Sequence, residues 1–343
     1  MENLIDFSDP ILQLVLPILL KDQTTGKNII WATDPPPNVD CGPMGEITIE
    51  QLDRIKLMPR VQKRLSEQKK RTRGKAEVFT PLWVVKKMAD HAEQELNKGN
   101  WEQFVHERCL EITCGEAPFL TSRYDPTTGE PVAIPDRVGI LDRKLRAIQE
   151  NANHKFQWKA LVSSAYQSVY GYEYQGDNLL LARVNLFLTF TENWIEKLGL
   201  PISASWAIAV ATRISWNIWQ MDGLRDTVPG TDTLCLIFDW EENKKVTFRQ
   251  IKEESDNVNI EIRRVLDSIQ DEFLNRHYEN NHLTDKDFDH LKLQIKQHIC
   301  AVYGINPELI DVSVIKTDHS GYQFVIKRMV PTLNIDVDIK EEK

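Results

Sequence analysis

An α/β fold built on a doubly wound, largely parallel sheet is the architecture this sequence predicts. Three observations lead there. Apolar runs at Cys109–Ile112, Ser168–Tyr174 and Ile214–Met221 each carry an acidic residue at or near their carboxyl end. Each is followed by a turn, and the second runs directly into the helical pattern Asn178–Leu186. A succession of strand, acid and helix implies parallel strands joined by right-handed crossovers. The acids Glu111, Glu173 and Asp222 then converge on the carboxyl edge of the sheet, where open α/β sheets hold their ligands.

Bulk properties narrow the class. The chain has 343 residues, 41% of them apolar and 27% charged, enough for one large domain or two of ordinary size. A net charge of −9 argues against coating nucleic acid by bulk charge, but it leaves room for a local basic patch. The five cysteines (Cys41, Cys109, Cys114, Cys235, Cys300) show no CxxC and no Cys/His spacing, so neither a disulfide framework nor a metal site is expected. The longest apolar run, Ile11–Leu20, is too short to span a bilayer and lacks a basic flank. The expected setting is reducing and cytoplasmic.

Taken in order, residues 1–20 read as a helix with Pro10 in its first turn and Pro17 as a kink. Residues 54–75 hold ten Lys and Arg against the single acid Glu67. Two readings stand: a solvated helix face, or a phosphate-contacting surface in which Lys69, Lys70, Arg71 and Arg73 bind nucleic acid. Thr80 and Pro81 predict an N-cap and first residue for a helix through Met88. At Glu111-Ile112-Thr113-Cys114-Gly115 a short strand meets a tight turn, with a helix expected directly after it. Gly115 can take a positive φ and let a ligand approach the backbone. An acid beside such a corner suits a cationic or sugar-bearing ligand, whereas a phosphate turn wants more glycines. Glu173 ends the second strand, where a carboxylate can accept two ribose hydroxyls. Asp222-Gly223-Leu224 closes the third strand, and Thr233–Trp240 is a fourth apolar run ending in Asp-Trp. Beyond about residue 250 the texture changes. Residues 256–304 are charged and helical, and residues 311–340 alternate like strands around Asp318-His319-Ser320-Gly321.

Glu77-Val78-Phe79-Thr80-Pro81, the Glu111–Leu120 corner, Gly171-Tyr172-Glu173 with the Asn185-Leu186 helix, and Asp222-Gly223-Leu224 occur in one order. Together they resemble the adenine-specific amino-methyltransferases of restriction–modification systems, the "subunit M" proteins, over roughly residues 27 to 250. The resemblance implies a Rossmann-like sheet with helices on both faces that binds S-adenosylmethionine. Phe79, Thr80 and Pro81 would cover the methionine end. Glu111, Cys114 and Gly115 would line its amine, Glu173 would take the ribose and Asp222 would approach the adenine. The family's Asp/Asn-Pro-Pro-Tyr/Phe tetrad, whose aromatic stacks on a flipped base, does not occur after Asp222. Asp239 and Trp240 are the candidates to replace it. Asp34-Pro35-Pro36-Pro37 resembles the tetrad but lacks the aromatic, and it is read as a proline-rich surface turn.

Three segments are therefore expected: a helical and basic stretch over 1–75, a methyltransferase-like domain over 76–250, and an α+β tail over 251–343. Two functions stay open. One is an adenine N6-methyltransferase of a restriction or phage-defence system, acting alone or with a partner subunit that carries the catalytic or target-recognition region. The other is an inactive relative that binds S-adenosylmethionine, DNA or a partner.

Overall fold

The computed structural model describes residues 4–75, 80–97 and 99–253, the strands at 310–316, 322–328 and 334–339, and isolated positions between 289 and 297. The chain divides into two compact units, Met1–Arg249 and Gln250–Lys343. Residues 1–75, expected as a segment of their own, belong to the first unit.

The amino-terminal part of that unit holds four helices. Helix α1 (Pro10–Leu20) starts as expected, with Pro10 in its first turn and the Asp9 carboxylate accepting from the N–H groups of Ile11 and Leu12. Thr48 and Gln51 form a capping box on the short α2 (Ile49–Arg54). The basic run becomes α3 (Leu65–Lys75). Helix α4 (Leu82–Leu96) corrects the expected cap: Pro81 is the N-cap residue, and no side chain caps the helix. Pro81 itself stays extended (ψ 148°) and its carbonyl accepts from Val84 and Val85, so the helix starts one residue too late for Thr80 to cap it.

After α5 (Trp101–His106) comes a parallel sheet of three strands in the order β1 (Cys109–Glu111), β2 (Val169–Glu173) and β3 (Ile218–Gln220). Glu111 pairs with Gly171, and Glu173 pairs with Gln220. Two helices, α6 (Ile140–Asn151) and α7 (Lys155–Ser168), cross from β1 to β2. Another two, α8 (Gly176–Leu198) and α9 (Ala204–Asn217), cross from β2 to β3. The helices run further than the apolar texture suggested, because Ser168 and Asn217 end helices instead of starting strands.

Two further expectations are corrected. No helix follows the Gly115 corner directly; the chain makes successive turns and becomes helical at residue 134. The fourth apolar run is not a fourth parallel strand. Its end forms β4 (Leu236–Asp239), which pairs antiparallel with β5 (Lys244–Thr247) as a separate hairpin. Asp34 and Pro37 lie at the surface, as a proline turn should.

The core gathers α1, α8 and α9 over the sheet. Helix α8 is buried along most of its length, and it carries Arg183 fully buried. That guanidinium donates to the carbonyls of Leu19 (2.6 Å), Lys21 (2.9 Å), Ser215 (3.1 Å) and Ile218 (2.7 Å), tying α1 to the start of β3. Those neutral acceptors hold the buried cation, with the buried Asp22 adding electrostatic support.

Lys144 is the second buried cation. Its ammonium donates to Ser168 Oγ (2.7 Å) and to the carbonyls of Val105 (3.4 Å) and Glu107. Burial pulls it from 10.5 down to about 7. The folded chain thus holds it neutral above about 7, while the unfolded chain keeps it charged up to the ordinary value. Folding stability from this group must rise with pH across that window. Relative to a Lys144→Met variant, the wild-type unfolding free energy in urea should climb by up to about 1 kcal/mol per pH unit above neutrality. Parallel curves for the two proteins would remove Lys144 as the source.

In the second unit, β6 (Ile310–Lys316), β7 (Tyr322–Arg328) and β8 (Asn334–Ile339) form an antiparallel sheet in sequence order. The strands match the expected alternation. The Asp318–Gly321 turn and most of the helical reading over 256–304 lie outside the described residues.

A candidate cation-binding hollow at the strand tips

Beyond β1 the backbone bends sharply. Thr113 (φ 49°), Gly115 (φ 56°) and Ala117 (φ 60°) all take positive φ within five residues. For Thr and Ala that conformation costs about 1–2 kcal/mol each, and it persists where the surroundings enforce it. Here Glu173 enforces it. Its Oε2 accepts from Gly115 N–H (2.9 Å) and its Oε1 from Gln175 N–H (3.0 Å). The Cys114 N–H donates to the Tyr172 carbonyl at 2.9 Å, so β2 holds the corner twice.

The corner encloses a hollow of about 110 Å³, lined among others by Glu111, Glu116, Arg123, Tyr124, Asn178 and Asn185. Much of its polar wall is already paired. Glu116 accepts from the Arg60 N–H (2.7 Å) and from Tyr124 Oη (2.6 Å). Asn185 Nδ2 donates to Tyr124 Oη (3.0 Å) and to the Glu116 carbonyl (3.1 Å). The Arg123 guanidinium pairs with Glu192 at 2.6 Å and donates to Asn185 Oδ1 at 3.3 Å.

Glu111 differs. Its Oε2 is buried and has no hydrogen-bond partner among the described residues. The strand leaves part of the residue at the surface, but the carboxyl end is enclosed. Burial raises this carboxyl from 4.5 to about 8, against the pull of the Phe119 and Leu120 N–H groups and with added repulsion from Glu173. Burial likewise raises Glu173 above its ordinary range. The Cys114 thiol is pushed well up by burial and by both acids, so it is no thiolate nucleophile.

The predicted site residues separate into groups. Thr80, Glu111, Cys114 and Gly115 line the hollow. Glu173 stands behind its wall as a bracket, with both oxygens on backbone N–H groups. Phe79 lies outside the described residues, and Pro81 caps α4. Asp222 does not line the hollow; its carboxylate accepts from Leu224 N–H at 3.0 Å in a surface turn.

Asp239 and Trp240 belong to the opposite end of the sheet. Trp240 Nε1 donates at 2.7 Å to Asn217, the residue before β3. Asp239 lies 3.4 Å from Arg108, the residue before β1, and caps the N–H groups of Glu241 and Glu242. Both make structural contacts there, away from the hollow.

Arg71 also departs from expectation. It is buried against Asp177 (2.7 Å) and Asn178 (3.2 Å) at the start of α8. Lys63 joins the same acid at 3.5 Å. Lys69 and Arg73 are exposed, and the Lys70 side chain lies outside the described residues.

Sequence reasoning missed Arg123, Tyr124 and Asn178. A signal existed for one: Asn178 and Asn185 stand seven residues apart in an apolar helix, two turns along one face. Nothing local marks Arg123 and Tyr124, which the turns after Gly115 bring back.

Among the described residues, no cluster of His, Cys, Asp or Glu could hold a metal ion, and no helix is long and apolar enough to cross a membrane. Compared with protein-family models, curated proteins and solved structures, the chain matches none.

Proposed function

We propose that the chain is the S-adenosylmethionine-binding part of a cytoplasmic DNA adenine N6-methyltransferase of the restriction–modification type. The catalytic contacts would come from a partner subunit. The observation that carries this reading is the enclosed Glu111 carboxyl at a parallel strand tip, whose Oε2 has no partner among the described residues, close to a positive-φ corner that a second buried acid holds. A hollow with surplus acid selects a cation, and the cofactor offers both an ammonium and a sulfonium. The strand order β1-β2-β3 matches one half of a doubly wound sheet and supports the Rossmann-like reading. At about 110 Å³ the hollow suits the amino-acid end of the cofactor, with the nucleoside outside it.

The bound cofactor would supply an activated methyl group. The chain's own part is to hold the cationic end through Glu111 and to keep the corner rigid through Glu173. Methyl transfer then needs the target amine in line with the sulfur–methyl bond. With Asp239 and Trp240 at the wrong end of the sheet, the groups that would grip the amine must come from elsewhere. The same geometry suits the second reading, an inactive relative that keeps the cofactor and DNA surfaces.

DNA would meet the basic stretch. Arg64, Lys69 and Arg73 are exposed. Trp83 is 63% exposed with Lys87 Nζ 5.2 Å from its ring centre, three residues along the chain from Thr80 at the hollow. An aromatic face beside cations suits base stacking.

Calorimetry with S-adenosylmethionine tests the cofactor half, and absence of heat would sink it. Methyl transfer from labelled cofactor to unmodified DNA, with and without a partner subunit, separates the enzyme from the inactive relative. Replacing Arg64, Lys69 and Arg73 with Ala should reduce the slope of log affinity against log salt by about 2–3. An unchanged slope would make those side chains a solvated face.

A further inference from the structure

We infer that the hollow exchanges a proton for its ligand: Glu111 holds a proton in the empty site, and an ammonium or sulfonium group displaces it to solvent. The inference rests on the cofactor reading above and adds the chemistry of entry.

The geometry argues for it from every side. Glu111 Oε2 has no partner among the described residues. Glu173 on β2, the acid that repels it, is itself buried, and backbone N–H groups hold it in place. From the corner, Cys114 stays a neutral thiol and Glu116 is tied to Arg60 and Tyr124. Among the described residues, the cations nearby are committed. Arg123 is held by Glu192 and Asn185, and Arg183 of α8 by four carbonyls. Arg71 and Lys63 are held by Asp177.

Two buried carboxyls that repel each other, with no uncommitted cation among the described residues, disfavour double ionisation, so one keeps a proton. The unpaired oxygen makes Glu111 that one, in agreement with its rise to about 8. A cation in the hollow reverses the balance. The O–H bond of the Glu111 carboxyl breaks, the proton passes to buffer, and the carboxylate pairs with the ligand. Below the raised value, each bound cation must therefore release one proton.

Two measurements on the full chain test this. Infrared difference spectra of the empty protein should show a protonated-carboxyl band at neutral pH that bleaches near 8 and is missing in Glu111→Gln. Calorimetry with S-adenosylmethionine in phosphate and in Tris should give heats that differ by the ionisation heat of about one proton. Affinity should rise about tenfold per pH unit below the raised value. Glu111→Gln mimics the neutral acid in shape, and it should lose both the buffer dependence and the pH dependence.

A missing infrared band overturns the inference whatever the cofactor does. Equal heats in both buffers overturn the exchange and leave cofactor binding standing. A band present with no binding heat at any pH brings down the cofactor reading, and the exchange with it.

Discussion

Glu173→Ala should lower the melting temperature by about 6–12 °C and leave S-adenosylmethionine binding undetectable. The Glu173 carboxylate satisfies the N–H groups of Gly115 and Gln175, at 2.9 and 3.0 Å. Alanine orphans both in a buried setting, at about 1–3 kcal/mol each. Relief of the repulsion with Glu111 offsets part of this, so about 3 kcal/mol remains. Each kcal/mol moves the midpoint of a unit this size by roughly 2–4 °C. Without the bracket, Thr113, Gly115 and Ala117 can leave their positive-φ conformations and the hollow opens. Glu173→Gln keeps one acceptor and should fall between alanine and wild type in thermal unfolding and calorimetry. If the alanine variant melts as wild type but loses the cofactor, Glu173 contacts the ligand directly and its bracket role is wrong.

Gly176→Ala is expected to destabilise the first unit by about 3 kcal/mol or more, a larger effect than most exposed-helix glycines would show. A Cβ there would stand 2.0 Å from the Ile30 carbonyl oxygen and 2.9 Å from Ile47 Cδ1. The Ile30 backbone cannot step aside cheaply. Its N–H donates to Gln220 Oε1 (2.9 Å) and its carbonyl accepts from Gln220 Nε2 (2.8 Å), while Gly176 N–H donates to the Trp31 carbonyl (3.2 Å). Asp177 and Asn178 come next in the chain, so the clamp on Arg71 and one wall of the hollow should loosen together. Chemical denaturation measures the loss. A variant within about 0.5 kcal/mol of wild type would show that residues 28–31 do not press on α8.

Much of the parallel sheet could be read from local pattern. Cys109–Glu111, Val169–Glu173 and Ile218–Gln220 are apolar runs with an acid or amide at the tip, and the helical stretches between them leave parallel pairing as the natural outcome. Boundaries were less legible. The apolar texture of Ile214–Asn217 suits helix and strand alike, and in α9 Arg183 donates to the Ser215 carbonyl while Asn217 donates to the carbonyls of Tyr166 and Val169. The turn after Gly115 misled for a related reason. A small-residue corner marks a change of direction but does not fix the conformation of the residues beyond it. The contacts of Glu116 with Arg60 and Tyr124 settle that conformation from distant positions.

Residue order alone told where acids would sit along each strand, since side-chain alternation and strand ends are short-range properties of the chain. Which acids share one enclosure was a matter of packing. Glu111 lines the hollow and Glu173 braces its corner because their strands are neighbours, Asp222 turns out to a surface loop, and the β4–β5 hairpin carries Asp239 and Trp240 to the far end of the sheet. Long-range burial also decided charge. A carboxyl becomes a proton store, and a basic side chain a clamp, through what encloses it, and no stretch of neighbouring residues encodes that enclosure.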